Sequence, residues 1–201
     1  WGVHLTNGAN NDSIVSCTID NSAVTSTTVD NSAGIVAANS STDLNAAGSA
    51  SNTVIMNNVI KGGYYGIILN GGTAAIDASG NKITGNTIQD FYSIGIEIAD
   101  NDGITISYND IHRINRTAVG TFEGLELNGD TKNSLVIGNR IHDTHTAAST
   151  QTGTAYGIFS SANDVAVGSE NRIVNNVIYN FNSGSGIQYA LYNSSSDGAF
   201  Y

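Results

Sequence analysis

A chain of 201 residues with no proline, a single cysteine and a formal charge of −10 has few options. The surplus of Asp and Glu excludes the basic surface that binding to nucleic acid requires, and no apolar run approaches the ~20 residues of a membrane span. Lone Cys17 excludes an intrachain disulfide and a cysteine-rich zinc site, and a buried thiol is expected there.

The first residues, Trp1–Leu5, read as the strand of an incomplete turn, with no signal peptide ahead of it. A first turn follows from Ile14 to Ala38, with a Ser/Thr-rich connection between Asp20 and Ala33. The low-complexity stretch Asn39–Asn52 reads as a corner loop because apolar periodicity resumes on its far side, in Val54–Ile60 and Gly66–Leu69. Gly85–Asn109 (GNTIQDFYSIGIEIADNDGITISYN) is the template turn: an N-x-I strand, a short loop, a G-I-x-I strand, an Asn/Asp/Gly corner and an I-x-I strand. Turn four (Ile104–Leu127) carries a longer loop from Arg113 to Glu123, and turn five (Leu135–Ser160) the longest, from His142 to Tyr156. Turn six shortens its loop to Tyr179–Gly184 and ends on Gly186-Ile187, before a tail that stops at Phe200-Tyr201.

These turns are copies of one another. Gly-Ile or Gly-Leu recurs at Gly34, Gly66, Gly95, Gly124, Gly157 and Gly186, at intervals of 32, 29, 29, 33 and 29 residues, a period that marks a repeat architecture. A second column runs through Ile19, Ile60, Ile88, Ile111, Ile141 and Ile178. Five residues before each of these stands a third, Ile14, Ile55, Ile83, Ile106, Val136 and Ile173. The sequence therefore specifies an all-β solenoid over 1–201, of about six turns of three short strands at roughly 29–33 residues per turn. Its variable loops fall near 20–33, 38–52, 113–123, 142–156 and 160–171. Asn58, Asn86, Asn109, Asn139 and Asn176 form a column suited to an amide ladder and to the left-handed backbone of a tight corner.

Three-strand turns, aliphatic columns and Asn corners resemble the right-handed parallel β-helix repeats of the pectin-lyase-like class. The tail GIQYALYNSSSDGAFY is similar to repeats of very long secreted bacterial surface proteins. The resemblance implies an extracellular or cell-surface bacterial protein, a segment of a longer chain, or ends that stack on further copies. It does not imply the activity. The Arg-x-Pro-x-x-Arg signature of pectate lyases and the Asn-Thr-Asp, Asp-Asp, Gly-His-Gly and Arg-Ile-Lys motifs of polygalacturonases are absent, while Glu97, Glu123, Glu126 and Arg113 resemble, without the lysine, the set of alginate- and chondroitin-type lyases.

The alignment also places side chains on the outside. After each G-I pair come Val36, Ile68, Glu97, Glu126, Phe159 and Gln188, so Glu97 and Glu126 should lie side by side, sharing a proton or a cation. After each N-x-I stand Asp20, Lys61, Gln89, His112, His142 and Tyr179, which stacks His112 on His142; one position on, Asp90, Arg113 and Asp143 read as an ion-pair ladder. Arg116, Glu123 and His145 lie in the loops nearby.

The first expectation is a structural or adhesive segment that presents its loops to glycans or neighbouring molecules. The second is a polysaccharide lyase or glycoside hydrolase acting on an acidic polysaccharide through the Glu97/Glu126/His112/Arg113 face, with His142 a further catalytic candidate. Tyr64, Tyr65, Phe91, Tyr92 and Phe122 are candidate sugar-stacking platforms. No cofactor is expected; calcium is a candidate ligand at Asp100, Asp102 and Asp130, whose Asp-Asn-Asp-Gly and Asn-Gly-Asp stretches otherwise read as turns.

Overall fold

In the computed structural model, residues 1–48, 50–72, 77–163 and 165–195 are described. Three parallel sheets run the length of the coil, and the described residues contain no α-helix. Sheet 1 has seven strands, Val3–Leu5, Ala33–Ala37, Tyr65–Asn70, Ile94–Ala99, Phe122–Asn128, Ala155–Ser161 and Gln188–Asn193. Sheet 2, from Ser13–Val15 to Arg172–Val174, and sheet 3, from Thr18–Asn21 to Val177–Tyr179, have six each.

The aliphatic columns are the registers of these sheets. In sheet 2, Ile14, Ile55, Ile83, Ile106, Val136 and Ile173 pair in succession; in sheet 3, Ile19, Ile60, Ile88, Ile111, Ile141 and Ile178 do so. Ile35, Ile67, Ile96, Leu125 and Ile158 form the sheet 1 column. From Ile55 to Ile141 the core isoleucines of sheets 2 and 3 are fully buried, each worth roughly 1.5–3 kcal/mol of apolar burial.

Between sheets 2 and 3 the chain turns in a two-residue corner, and the ladder asparagine is the second of the two. Asn58, Asn86, Asn109 and Asn139 each donate Nδ2 to Oδ1 of the next asparagine at 2.9 Å, ending on Asn176. Left-handed backbone belongs not to these asparagines but to the residue before each: Asn57, Gly85, Tyr108, Gly138 and Asn175, with φ between 54 and 68°. Each ladder amide also donates to a main-chain carbonyl of the preceding turn, for example Asn109 to Ile83 O at 3.0 Å. Buried amides thus satisfy one another and the corner backbone, which a buried polar group requires.

The glycine column in sheet 1 has a steric origin. A Cβ on Gly95 would lie 2.6 Å from Gly124 O and 2.7 Å from Ile111 Cγ2, because the strand bends onto the sheet 3 isoleucines. Gly34, Gly66 and Gly124 face Ile60, Ile88 and Ile141 in the same way. In the last strand the position belongs to Ala190, since Ile158 pairs with Leu191 and Phe159 with Tyr192. The expected pairing of Gly186-Ile187 with Gly157-Ile158 is therefore wrong by four residues. Among the described residues no sheet 3 isoleucine follows Ile178 to oppose Ala190, so a methyl group fits there.

Cys17 is exposed, contrary to the buried thiol expected from its place in the asparagine column: it stands in the first strand of that column, with no described rung below it. Trp1 does precede a short strand, which pairs with Ala33–Ala37. The loop through 38–48 tucks Leu44 completely under cover against Ala33, Val36, Tyr65, Ile68 and Ile94 on the outer face of sheet 1. Phe200 and Tyr201 lie outside the described residues. No helix among the described residues is long and apolar enough to cross a membrane.

Candidate functional site on the outer face of sheet 1

Sheet 1 strands two to six carry a quartet x-Gly-Ile-x or x-Gly-Leu-x, and the last carries Tyr-Ala-Leu-Tyr, with the first and last residues of each facing outward. In register, the first positions are Ala33, Tyr65, Ile94, Glu123, Tyr156 and Tyr189; the last are Val36, Ile68, Glu97, Glu126, Phe159 and Tyr192. Chemistry along this face changes in blocks. It is apolar and covered by Leu44 at one end, acidic in the middle and aromatic at the other end.

Glu97 and Glu126 pair directly across neighbouring strands, as the repeat alignment predicts, and both are buried, at 5% and 6% exposure. Glu123 joins them one quartet position away and is half-buried. Burial, followed by the charge of Glu126, pushes the Glu97 carboxyl up to about 8, against a hydrogen bond from Asn128 that lowers it. Burial and Glu126 likewise push Glu123 up to about 8. Glu126 is raised too, by burial, and is the member held back by hydrogen bonds with Glu123 and Ser161. Three carboxyls this close cannot all ionise, so near neutral pH the cluster retains protons.

The aromatic block adjoins them. Tyr156 follows Glu123 in its column and Phe159 follows Glu126. Tyr156 lies over Phe159 with centroids 4.7 Å apart and over Tyr189 at 5.4 Å with rings nearly parallel, while Phe159 meets Tyr192 at 5.5 Å. All four rings are half-exposed. The sequence carries this cluster openly as Tyr-Gly-Ile-Phe (156–159) over Tyr-Ala-Leu-Tyr (189–192). Fixing on Gly186-Ile187 hides it.

The aromatics expected to be platforms are placed otherwise. Phe91 and Phe122 are fully buried in the main core, 5.3 Å apart, and Tyr65 is 4% exposed in the cluster with Leu44. Tyr64 and Tyr92 are half-buried and lie 5.3 Å apart, with Arg116 over the Tyr92 ring.

Arg113 is likewise no partner for the glutamates and no rung of an ion-pair ladder. Its guanidinium is fully buried and hydrogen-bonds to the carbonyls of Thr144, Tyr92, Thr121 and Gly120 and to His145 Nε2, with Phe122 beneath it at 5.3 Å. Burial lowers its pKa, though a guanidinium remains charged at neutral pH. The same burial and the Arg113 charge pull His145 down to about 4, so that it can accept a hydrogen bond there as a neutral ring. Asp90 and Asp143, its supposed neighbours, take left-handed backbone with φ of 57° and 52° and turn away, Asp90 to Asn115 and Asp143 to His142 and Asn180.

His112 and His142 do stack, at 5.1 Å, and Tyr179 continues the stack at 4.8 Å. They stand on sheet 3, however, not on the face of the glutamates. His142 is held between Asp143 at 2.6 Å and Asp110 at 2.7 Å. Burial lowers the pKa of His112, and its Nδ1 is buried without a partner. The single constellation expected from the sequence is thus two separate clusters and one structural arginine.

Of the candidate calcium ligands, Asp100 Oδ1 accepts from the backbone of Asp130 at 3.0 Å and Asp102 Oδ1 from Asn133 at 2.7 Å. Left-handed Asp100, Gly103 and Gly129 make these stretches corners. Among the described residues no three His, Cys, Asp or Glu side chains converge as a metal-binding group.

Parallel three-sheet coiling and the ladder accord with comparison against known families, where the right handed beta helix region matches residues 1–197. The chain belongs to this family. No curated protein and no solved structure matches it. For this β-helix, then, family membership accounts for the coil, and the outer face of sheet 1 must be interpreted from its own chemistry.

Proposed function

We propose that this β-helix is a glycan-binding segment that acts outside the bacterial cell, gripping a polysaccharide along the outer face of sheet 1. The observation that carries the reading is the half-exposed cluster of Tyr156, Phe159, Tyr189 and Tyr192 beside the three glutamates. Such rings offer apolar bodies for the C–H faces of sugars and, in the tyrosines, hydroxyl tips for their polar rims. Glu123 and Glu126, next in the same columns, supply acceptors for sugar hydroxyls. A net charge of −10 favours neutral over acidic polysaccharides.

Retention of wild-type protein on a panel of insoluble neutral polysaccharides tests this reading. Wild type should be retained by at least one of them and released on substitution of Tyr156 and Tyr192 by Ala, with the thermal transition unchanged. Equal retention of both proteins, or of neither, would refute it.

A second reading, glycoside hydrolysis, is favoured by the raised carboxyl pKa values. A protonated Glu97 or Glu123 next to an ionised Glu126 is an acid–base pair of the kind glycosidic bond cleavage uses. It predicts release of reducing ends from the retained polysaccharide, lost in Glu126→Gln and in Glu97→Gln. Absence of reducing ends leaves binding as the function. End-to-end association belongs to the same adhesive reading, and particle length by electron microscopy measures it.

A further inference from the structure

Away from the sheet 1 face, the loop after the first sheet 3 strand and the loop after Arg113 meet around a cleft of about 240 Å³. Its walls are of mixed character. Val24 and Ala118 contribute apolar surface, Thr25 and Thr117 contribute hydroxyls, and Asp90 and Arg116 contribute one charge of each sign.

Both charged groups are fixed by the protein and still have capacity. Arg116 gives Nε to Ala118 O at 2.9 Å and Nη1 to the carbonyls of Gly63 and Asp90 at 3.3 Å, and its guanidinium lies 5.3 Å from the Tyr92 ring centre. Nη2 has no hydrogen-bond partner among the described residues. Asp90 accepts the backbone N–H of Asn115 at 2.8 Å on one oxygen and the Asn115 side chain at 3.0 Å on the other. Each carboxylate oxygen has two lone-pair sites, so each retains one acceptor position.

We infer that this cleft binds a single neutral sugar unit, with Asp90 accepting from its hydroxyls and Arg116 Nη2 donating to one of them. Charge decides the class. A carboxylate ligand would gain from Arg116 what it loses to Asp90, and an ammonium ligand the reverse. A polyol needs both a fixed acceptor and a fixed donor, and it brings C–H surface for Val24 and Ala118. The volume suits one pyranose ring and is smaller than the clefts that hold drug-sized ligands. Because none of the cleft residues belongs to a sheet 1 quartet, it stands whether or not the polysaccharide reading does.

Saturation-transfer NMR on the full chain tests the assignment, with glucose, galactose, mannose and xylose as probes and glucuronate as the anionic comparison, each at about 10 mM. Wild type should transfer saturation to at least one neutral sugar. Val24→Trp, which fills the cleft while leaving Asp90 and Arg116 unsubstituted, should abolish the signal, and Arg116→Gln should weaken binding about tenfold or more. Tyr156→Ala/Tyr192→Ala should leave it intact, which separates this site from the sheet 1 face. No transfer to any neutral sugar, transfer that survives Val24→Trp, or transfer to glucuronate alone would overturn the inference.

Discussion

The inner and outer columns of sheet 1 are made by the same seven strands, yet they follow different rules. Inward, Ile35, Ile67, Ile96, Leu125 and Ile158 repeat one aliphatic shape, because each must fill the same cross-section of the coil against its neighbours. Outward, the same strands pass from Val36 and Ile68 to Glu97 and Glu126 and then to Phe159 and Tyr192. Nothing in the stacking geometry requires that succession. In a solenoid each rung contacts only its neighbours, so the inner columns account for the fold and departures from uniformity on the outer face mark where function can reside.

Breaking an inner position should therefore cost stability, and breaking an outer one should cost binding. The largest effect is expected at the ladder. Asn109→Ala removes two bonds to Asn86 and the bonds of its own amide to Asn139 and to Ile83 O in a buried corner, which should cost about 3–5 kcal/mol in urea denaturation. Gly95→Ala drives a Cβ onto Ile111 and the Gly124 carbonyl; about 2–3 kcal/mol is expected, read as a lower denaturation midpoint.

The glutamates lie between the two classes because they are outward yet buried. A carboxyl whose pKa rises on folding favours the folded state while it is protonated and loses that advantage as pH climbs. With Glu97 going from 4.5 to about 8, stability should fall across that window, with a slope of at most about 1.4 kcal/mol per pH unit for one group. Glu97→Gln should flatten the curve of stability against pH; an unchanged slope would show that the carboxyl is ionised in the fold. The smallest stability effect is expected at Tyr192→Ala, within about 0.5 kcal/mol, while glycan affinity falls about tenfold.

Sheets 2 and 3 were legible from the sequence because a two-residue corner joins them in every turn, so the five-residue spacing from Ile106 to Ile111 does not vary and the registers follow from counting. Sheet 1 is reached through loops of changing length, which removes that ruler. There the repeated Gly-Ile pair was the only guide, and it misled once: Ala190 replaces the expected glycine where no isoleucine opposes it, and Gly186-Ile187 lies nearby as a decoy. The Glu97–Glu126 pair was readable because its rungs keep the glycine.

Arg113 was misplaced for a different reason. Column reading assumes extended backbone, whereas Asp90 and Asp143 turn left-handed immediately after the strand, and whether an arginine so placed faces solvent or four buried carbonyls depends on loop paths that spacing does not encode. Buried Phe91 and Phe122 are a related case, since both turn into the main core instead of outward.

Chemical-shift mapping on isotopically labelled protein, titrated with an oligosaccharide of the polysaccharide that retains it, tests the division most directly. Perturbations should concentrate at Tyr156, Phe159, Tyr189 and Tyr192 and extend to Glu97, Glu123 and Glu126, leaving the backbone of sheet 2 unmoved. Perturbations centred on sheet 2, or none on the outer face of sheet 1 at saturating ligand, would contradict the account.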